Sequence, residues 1–317
     1  MDLTVPVGAR THWEVGGPPA SGTEWRAPVG IVAYEPADMT VTVGAGTPFC
    51  DLDAVLAEHG QEVPLDPRRP DATIGGILAC GLSGLRRLRH GPVRDHVLQV
   101  KIKTGYGRVI KGGGPTVKNV TGYDIPRLFV GSLGTLGLLG EATLRCRPRA
   151  QCSQWFASDG RELFRPAARL WDGRPEHVLL EGFEVDVAAQ SLGLEPVDSP
   201  ALPDGPHRGR ISIAPARVRA CATALGADVR WCAELGVGTI HVAADTAEAF
   251  VSARAVAHAH DGWMLREAGG PDDDDGYGRP LPNVALMRRV RDAFDPDHIC
   301  NPGRLPLGPS GPFERKS

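Results

Sequence analysis

The densest run of residues able to approach a phosphate is Gly112 to Cys146, GGGPTVKNVTGYDIPRLFVGSLGTLGLLGEATLRC. Glycine lets a backbone come close to an anion or a flat ring, because no Cβ stands in the way. Gly131, Gly134 and Gly137 in GSLGTLG imitate a dinucleotide fingerprint. That fingerprint needs a strand before it and a helix after it, with the pyrophosphate on the helix N-terminus. Here the pattern predicts a helix first, IPRLFVG, and a strand second, LLGEATLRCRP. No Lys-Ser/Thr pair closes the run, so it is not a P-loop. On its own the segment also fits a set of tight turns.

Other reactive residue types are scattered. Seven cysteines, at 50, 80, 146, 152, 221, 232 and 300, form no CxxC pair, and an odd number cannot pair completely. They read as reduced thiols. Zinc and iron–sulfur sites need clustered thiolates, so no such site is expected in this chain. His258 and His260 are two apart on an expected helix and point to different faces. Asp272–Asp275, DDDD, lacks calcium-loop spacing, since the twelfth position is Asn283 rather than Glu; it reads as a solvated loop. RRLRH, 86–90, could place positive charge near a carboxylate or pyrophosphate, but a solvated loop is the preferred reading.

The elements that must position these residues follow from periodicity. LTVPVG, VGIVAYE and TVTVGA read as strands, and Leu52, Val55, Leu56 and His59 repeat at helical spacing after Thr47 as cap and Pro48 as first helical residue. DATIGGILACGLSG is apolar and glycine-rich, suited to lying against something large and flat. HVLQVKIKTGYGRVIKGG reads as two strands around a turn at Gly105–Gly107. After Pro148 helical stretches near 161–171, 184–192, 215–225 and 245–260 alternate with strands near 177–183, 210–213, 229–235 and 239–243, a second α+β domain. GGPDDDDGYGRPLPN is a loop or partly disordered, and VALMRRVRDAF a final helix whose Leu286 and Met287 are read as core.

At 317 residues, 42% hydrophobic and 23% charged, the chain can bury one large core or two modest ones. A formal net charge of -3 gives no basic field for nucleic acid or an anionic membrane. The first residues lack a basic-then-apolar leader, and no eighteen-residue apolar run occurs, so a cytoplasmic location is expected, with membrane association only through partners.

PVGART, DPRRPDATIGGILACGLSG, HGPVRDHVLQVKIKTGYGRV and KNVTGYDIPRLFVGSLGTLGLLGEATL occur in that order. Each resembles a segment of the FAD-binding domain of the vanillyl-alcohol oxidase superfamily, the PCMH-type fold. CGLSGLRR, VRDHVL and VKNVTGYD are most similar to the family of FAD-binding E subunits of bacterial glycolate oxidases. The resemblance spans residues 4–148, returns weakly in FDPDHICNPGRL, and touches the middle of the chain only in size and position.

That resemblance implies an α+β fold: a PCMH-type FAD-binding domain of two α+β subdomains over 1–148, an α+β cap or substrate domain over 149–282, and a C-terminal segment, 283–317, returning to the FAD domain. Family members begin with a strand–helix–strand unit before the loop that PVGART resembles, so the first subdomain is expected to be truncated. The implied cofactor is FAD, its pyrophosphate held by glycine-rich loops: Gly8, Arg10 and Thr11 in one, Thr73, Ile74, Gly75 and Gly76 in the other. Cys80, Gly81 and Gly84 would pass beside the flavin, and Asp66 and Pro67 are also named as cofactor-binding. Gly91, Val93, Asp95, Gly137, Leu138 and Leu139 would surround the ribityl and adenine ends, with Asn301 joining from the C-terminal segment. Arg10 stands where many members carry the attaching histidine, so the flavin should be non-covalent. Members that oxidise 2-hydroxy acids often hold a metal on a histidine cluster; GTIHVAAD keeps only His241, and no metal is expected. No catalytic residue is assigned; Tyr123 and His90 are candidates by position alone. The implied role is an FAD subunit of a glycolate oxidase-like complex, with a larger FAD subunit, an iron–sulfur subunit and a small 2-hydroxy acid as partners. A stand-alone FAD-dependent 2-hydroxy-acid dehydrogenase and a non-catalytic scaffold subunit are the alternatives.

Overall fold

The computed structural model describes residues 2–114 and 124–308. Tyr123 and all of VKNVTGYD but Asp124 lie outside the described residues. The chain divides into two compact units, one of Met1–Gly84, Pro92–Arg149 and Pro280–Ser317, the other of Leu85–Gly91 and Ala150–Arg279.

In the first unit five antiparallel strands lie in the order Ile31–Glu35, Thr40–Gly44, Leu138–Arg145, Val97–Lys103, Val109–Gly113. Period-two alternation puts Val41, Val43, Val100, Ile102, Ala142 and Leu144 on one buried face. The helix Phe49–Ala57 sets Leu52 and Leu56 against that face, and the helix Ile74–Cys80 adds Ile74, Ile77 and Leu78. Thr47 does not cap the first of these helices. Pro48 occupies the cap position, and Thr47 Oγ1 instead donates to Gly44 O at 2.7 Å while accepting from Gly30 N–H at 2.8 Å. The helix start is held by Phe49 N–H on Ala72 O, at 2.8 Å.

The final helix, Val284–Phe294, returns to this core with Val290 and Phe294, whose ring meets Phe129 edge-on at 5.3 Å. Leu286 is not core: it is 57% exposed, because the inward stripe runs through 284, 287, 290 and 294.

The second unit is an eight-stranded antiparallel sheet ordered Glu195–Val197, Cys152–Ala157, His177–Gly182, Ala168–Trp171, Val229–Glu234, Thr239–Ala244, His207–Ser212, Trp263–Ala268. The helices Val218–Thr223 and Ala247–Ala259 cover it with Val218, Cys221, Phe250, Ala253 and Ala257. Glu184–Gln190 forms a smaller cluster through Val187, with Phe156, Val178, Leu180 and Leu194.

The expected helix near 161–171 is instead a loop leading into the strand Ala168–Trp171, in which Ala168 and Leu170 alternate inward; Pro166 blocks helical continuity. DDDD is not wholly solvated. Asp274 is buried and chelated by Arg254, Nη1 to Oδ1 at 3.1 Å and Nη2 to Oδ2 at 2.9 Å, while Asp275 Oδ1 accepts from Tyr277 and Gly278 N–H.

Candidate cofactor site

Two loops of the first unit meet at Thr73. Its Oγ1 caps the helix Ile74–Cys80 by accepting from Gly76 N–H at 3.2 Å. Ile74 N–H donates to Thr47 O and Gly75 N–H to Ala45 O, at 2.9 and 2.7 Å. The donors of this second loop are therefore engaged within the protein. A Cβ at Gly75 would stand 2.8 Å from Ala45 O, so only glycine lets the two backbones pack.

The first loop differs. Val7 N–H still pairs with Trp25 O, but the N–H groups of Gly8, Ala9, Arg10 and Thr11 have no acceptor among the described residues. Arg10 lies in the left-handed region, at φ 58°. A left-handed residue within such a run turns successive N–H groups toward one side, the geometry of an anion nest.

These residues line a cleft open to solvent. Among the lining residues are Arg10, His12 and Arg304, and no carboxylate. Trp13 presents its ring to both arginines, with the Arg10 guanidinium at 4.8 Å and that of Arg304 at 5.6 Å from the centroid. Arg10 also pairs with Glu24, and buried Arg304 donates to Gly17 O at 3.0 Å. Asn301 is 5% exposed; its Nδ2 donates to Leu133 O, leaving Oδ1 buried and without a partner among the described residues. An orphaned acceptor at the wall of a cleft fits a ligand bearing hydroxyl or N–H donors.

Of the residues named from the sequence, Gly8, Arg10, Thr11, Thr73, Gly75, Gly76, Cys80, Gly137, Leu139 and Asn301 line this cleft. Asp66, Pro67, Ile74, Gly81, Gly84, Gly91, Val93, Asp95 and Leu138 do not. Ile74 and Leu138 are core, and buried Val93 donates its N–H to Ser83 Oγ. Gly84 packs where a Cβ would collide with Asp66, and Asp95 pairs with Arg127 at 2.9 Å. Gly81 closes the helix Ile74–Cys80 at φ 65°, where an added Cβ would stand 3.0 Å from Gly131 N. Gly91 belongs to the second unit. Trp13, Trp25, Phe129, Leu133 and Arg304 also line the cleft and were not named from the sequence. Trp13, two residues beyond Thr11, and Arg304, in NPGRL, were the readable signals.

RRLRH is not a solvated loop. In the second unit its Arg86 and His90 reach the buried carboxylate of Glu181, at 3.3 and 3.1 Å, and Arg89 donates to the Glu181 backbone oxygen. Ser153 Oγ adds a fourth contact, at 3.0 Å. Burial alone would raise the Glu181 pKa, but the His90 hydrogen bond and the Arg86 charge outweigh it and pull the value down to about 2. His90 is thus committed to an internal ion cluster. His241 likewise bonds Glu234, at 2.8 Å, with both side chains buried. No metal-ligand cluster occurs among the described residues. No helix among them is long and apolar enough to cross a membrane.

Residues 5–113 match the family model of the FAD binding domain, and residues 279–305 match that of the C-terminal domain of FAD linked oxidases. The first unit thus carries a stretch similar to the FAD binding domain and a C-terminal stretch similar to that of FAD linked oxidases. Among individual proteins, the chain is 45% identical over 126 residues to the glycolate oxidase subunit GlcE of Escherichia coli, covering 39% of this chain and 36% of that protein. It is 40% identical over 114 residues to a D-lactate dehydrogenase of Archaeoglobus fulgidus, covering 36% and 26% respectively. The matched stretch thus spans about a third or less of these relatives. In fold it is similar to the Physcomitrella patens BBE-like 1 protein, with a TM-score of 0.68 at 15% identity, covering 97% of this chain and 87% of that one. Alkyldihydroxyacetonephosphate synthase gives a TM-score of 0.65 at 14% identity, covering 95% and 71%.

The cleft suits the cofactor of that family. A diphosphate needs clustered donors and few competing carboxylates; Gly8–Thr11 cluster four N–H groups, and the cleft lining holds no carboxylate, the one nearby, Glu24, being paired with Arg10 and Arg26.

Proposed function

We propose that this chain is the FAD-binding subunit of a glycolate oxidase-like complex, oxidising a 2-hydroxy acid, glycolate to glyoxylate, with electrons passed on to an iron–sulfur partner. The observation that carries the reading is the cleft whose lining holds no carboxylate and whose Gly8–Thr11 donors have no acceptor among the described residues; the 45% identity to the GlcE subunit over 126 residues supports it. Bound FAD would take up the two electrons released as the hydroxy acid becomes the 2-oxo acid.

The chain's own residues hold and orient. The N–H groups of Gly8 to Thr11 would receive the diphosphate, and Arg10 and Arg304, both against the Trp13 ring, would compensate its charge. Asn301 Oδ1 accepts from a hydroxyl or N–H of the cofactor. Phe129, Leu133 and Leu139 exclude water from the apolar part of the cleft. Arg10 cannot form the covalent bond that a histidine makes, so the flavin is held by contacts alone. No side chain is assigned as base.

The test is co-expression with a larger flavin subunit and an iron–sulfur subunit of the glycolate oxidase type. Co-purification, acid-releasable flavin and glycolate-dependent reduction of the iron–sulfur centre are expected. The likeness to D-lactate dehydrogenases favours a second reading, a stand-alone dehydrogenase, and rapid dye reduction by the isolated chain would establish it. A colourless chain that takes up no FAD would leave the scaffold role.

A further inference from the structure

Four of the most exposed large apolar side chains among the described residues lie in the second unit, three of them between Phe183 and Leu192 and the fourth, Phe164, in the loop bonded to that segment: Leu192 at 77%, Phe164 at 75%, Val185 at 74% and Phe183 at 62%. They gather around the helix Glu184–Gln190. Val187 turns inward to Phe156, Val178 and Leu180. Val185 and Ala189, at i and i+4, face outward on the helix, and Leu192 follows in the turn just beyond its C-terminal end; all three are exposed. The loop 161–164 is fixed beside the C-terminal end of this helix, by Phe164 N–H on Gln190 Oε1 at 3.0 Å and Arg161 Nη1 on Leu192 O at 2.8 Å. Phe164 therefore extends the stripe at one end, as Phe183 and Val185 begin it at the other. Clustered apolar exposure of this kind marks an interaction surface, whereas scattered exposed apolar residues do not.

The rim states the partner's charge. Glu184, Asp186 and Glu195 flank the stripe, and none of their carboxylates has an ion pair or hydrogen bond among the described residues. Of the nearby cations, Arg161 is committed to Asp159, and Arg165 has no acidic partner among the described residues. A second copy docked on this face about a two-fold axis would set these acids against themselves, which is unfavourable. An anionic membrane would be repelled in the same way.

We propose that this face is a docking surface for a different protein chain, one that presents apolar side chains within a frame of lysine or arginine. The partner's apolar groups cover Val185, Leu192 and Phe164, and its cations face Glu184 and Asp186. The proposal names the surface by which the subunit role proposed above would be exercised, and it can fail separately from that role.

Two measurements test it. In the first, the chain is co-expressed with the larger flavin and iron–sulfur subunits, and side-chain oxidation footprinting compares the free and assembled chain. Protection of Phe164, Phe183 and Leu192 is expected, with Val185→Asp/Leu192→Asp lowering the affinity by at least about tenfold. Both substitutions lie on solvent-facing positions, so the second unit should stay folded and flavin content unchanged. An assembly that forms with this face unprotected and is indifferent to the double variant overturns the docking surface and leaves the subunit reading intact. In the second, a helical peptide of leucine and lysine serves as probe. Salt-sensitive binding that protects the same residues, and is lost in Glu184→Lys/Asp186→Lys, supports the surface even if no assembly with those subunits forms. Binding that maps elsewhere, or concentration-dependent self-association that buries this face, overturns it.

Discussion

Gly8→Ala is the most discriminating change at the cleft. The added Cβ would overlap Thr73 Oγ1 and stand 3.0 Å from its Cγ2 and 3.2 Å from its Cβ, so no rotation of Thr73 clears it. Ordinary carbon contacts lie near 3.5–4.0 Å, so one loop must yield by roughly half an ångström to an ångström. If Thr73 moves, the cap on Gly76 N–H weakens, at about 1 kcal/mol of stability. If the Gly8 loop moves, its nest of donors is misaimed. Loss of one charge-assisted hydrogen bond, about 1.5–3 kcal/mol, weakens FAD binding by roughly 10- to 150-fold at ~1.4 kcal/mol per tenfold. The assay is flavin titration of the apoprotein by fluorescence, with thermal unfolding run alongside to keep binding and stability apart. Gly226→Ala is the control, since its added Cβ meets nothing within 4 Å. Thr73→Ala added to Gly8→Ala removes the overlapping Oγ1 and should recover part of the affinity, a non-additive pair. A folded Gly8→Ala protein with unchanged FAD affinity would refute the placement of the diphosphate at this loop. Gly76 is a weaker test, because its N–H is already bonded and its added Cβ would only reach 3.2 Å from Thr73 Oγ1.

At the cleft's other wall, Arg304→Gln should weaken FAD binding about tenfold or more and flatten its dependence on salt, read by titration at two ionic strengths; an unchanged salt dependence would remove Arg304 from the charge compensation. Acid denaturation should release the flavin from the polypeptide, and flavin fluorescence that stays with the denatured chain on a gel would contradict contact-only binding. For Glu181, the folded pKa of about 2 lies below the ordinary 4.5, so its stabilising contribution is full above about pH 4.5 and is lost as pH falls toward 2. The shift corresponds to about 3 kcal/mol. Glu181→Gln should be destabilised by a similar amount at pH 7, because Arg86 and His90 lose their buried anion, and should lack the wild-type loss between pH 4.5 and 2 in denaturant melts.

Where a residue's role rests on spacing alone, the sequence was a good guide. The strand Thr40–Gly44 alternates Val41 and Val43 inward, and the helix Ala247–Ala259 places Phe250, Ala253 and Ala257 on one side. The first loop was named through the resemblance of PVGART, and the structural reason for its Gly8, that Thr73 occupies the space a side chain would take, was not readable from spacing. Partner choice was not legible. Arg86 and His90 look like a solvated basic run until the fold brings Glu181, some ninety positions later, beneath them. Asp274 looks like one of four equivalent acids until Arg254 selects it, and Thr47 looks like a cap until Gly30 and Gly44 claim its hydroxyl. The second glycine loop shows the same limit inside the cleft. Its composition announces close backbone approach, and the approach is real, but Ala45 O and Thr73 Oγ1 take the Gly75 and Gly76 donors. Glycine content locates where a chain comes near something. Only the hydrogen-bond accounting of the folded chain separates the two cases: the second loop spends its donors on the protein, while Gly8 to Thr11 keep theirs without an acceptor among the described residues, which is why the proposed diphosphate site rests on them.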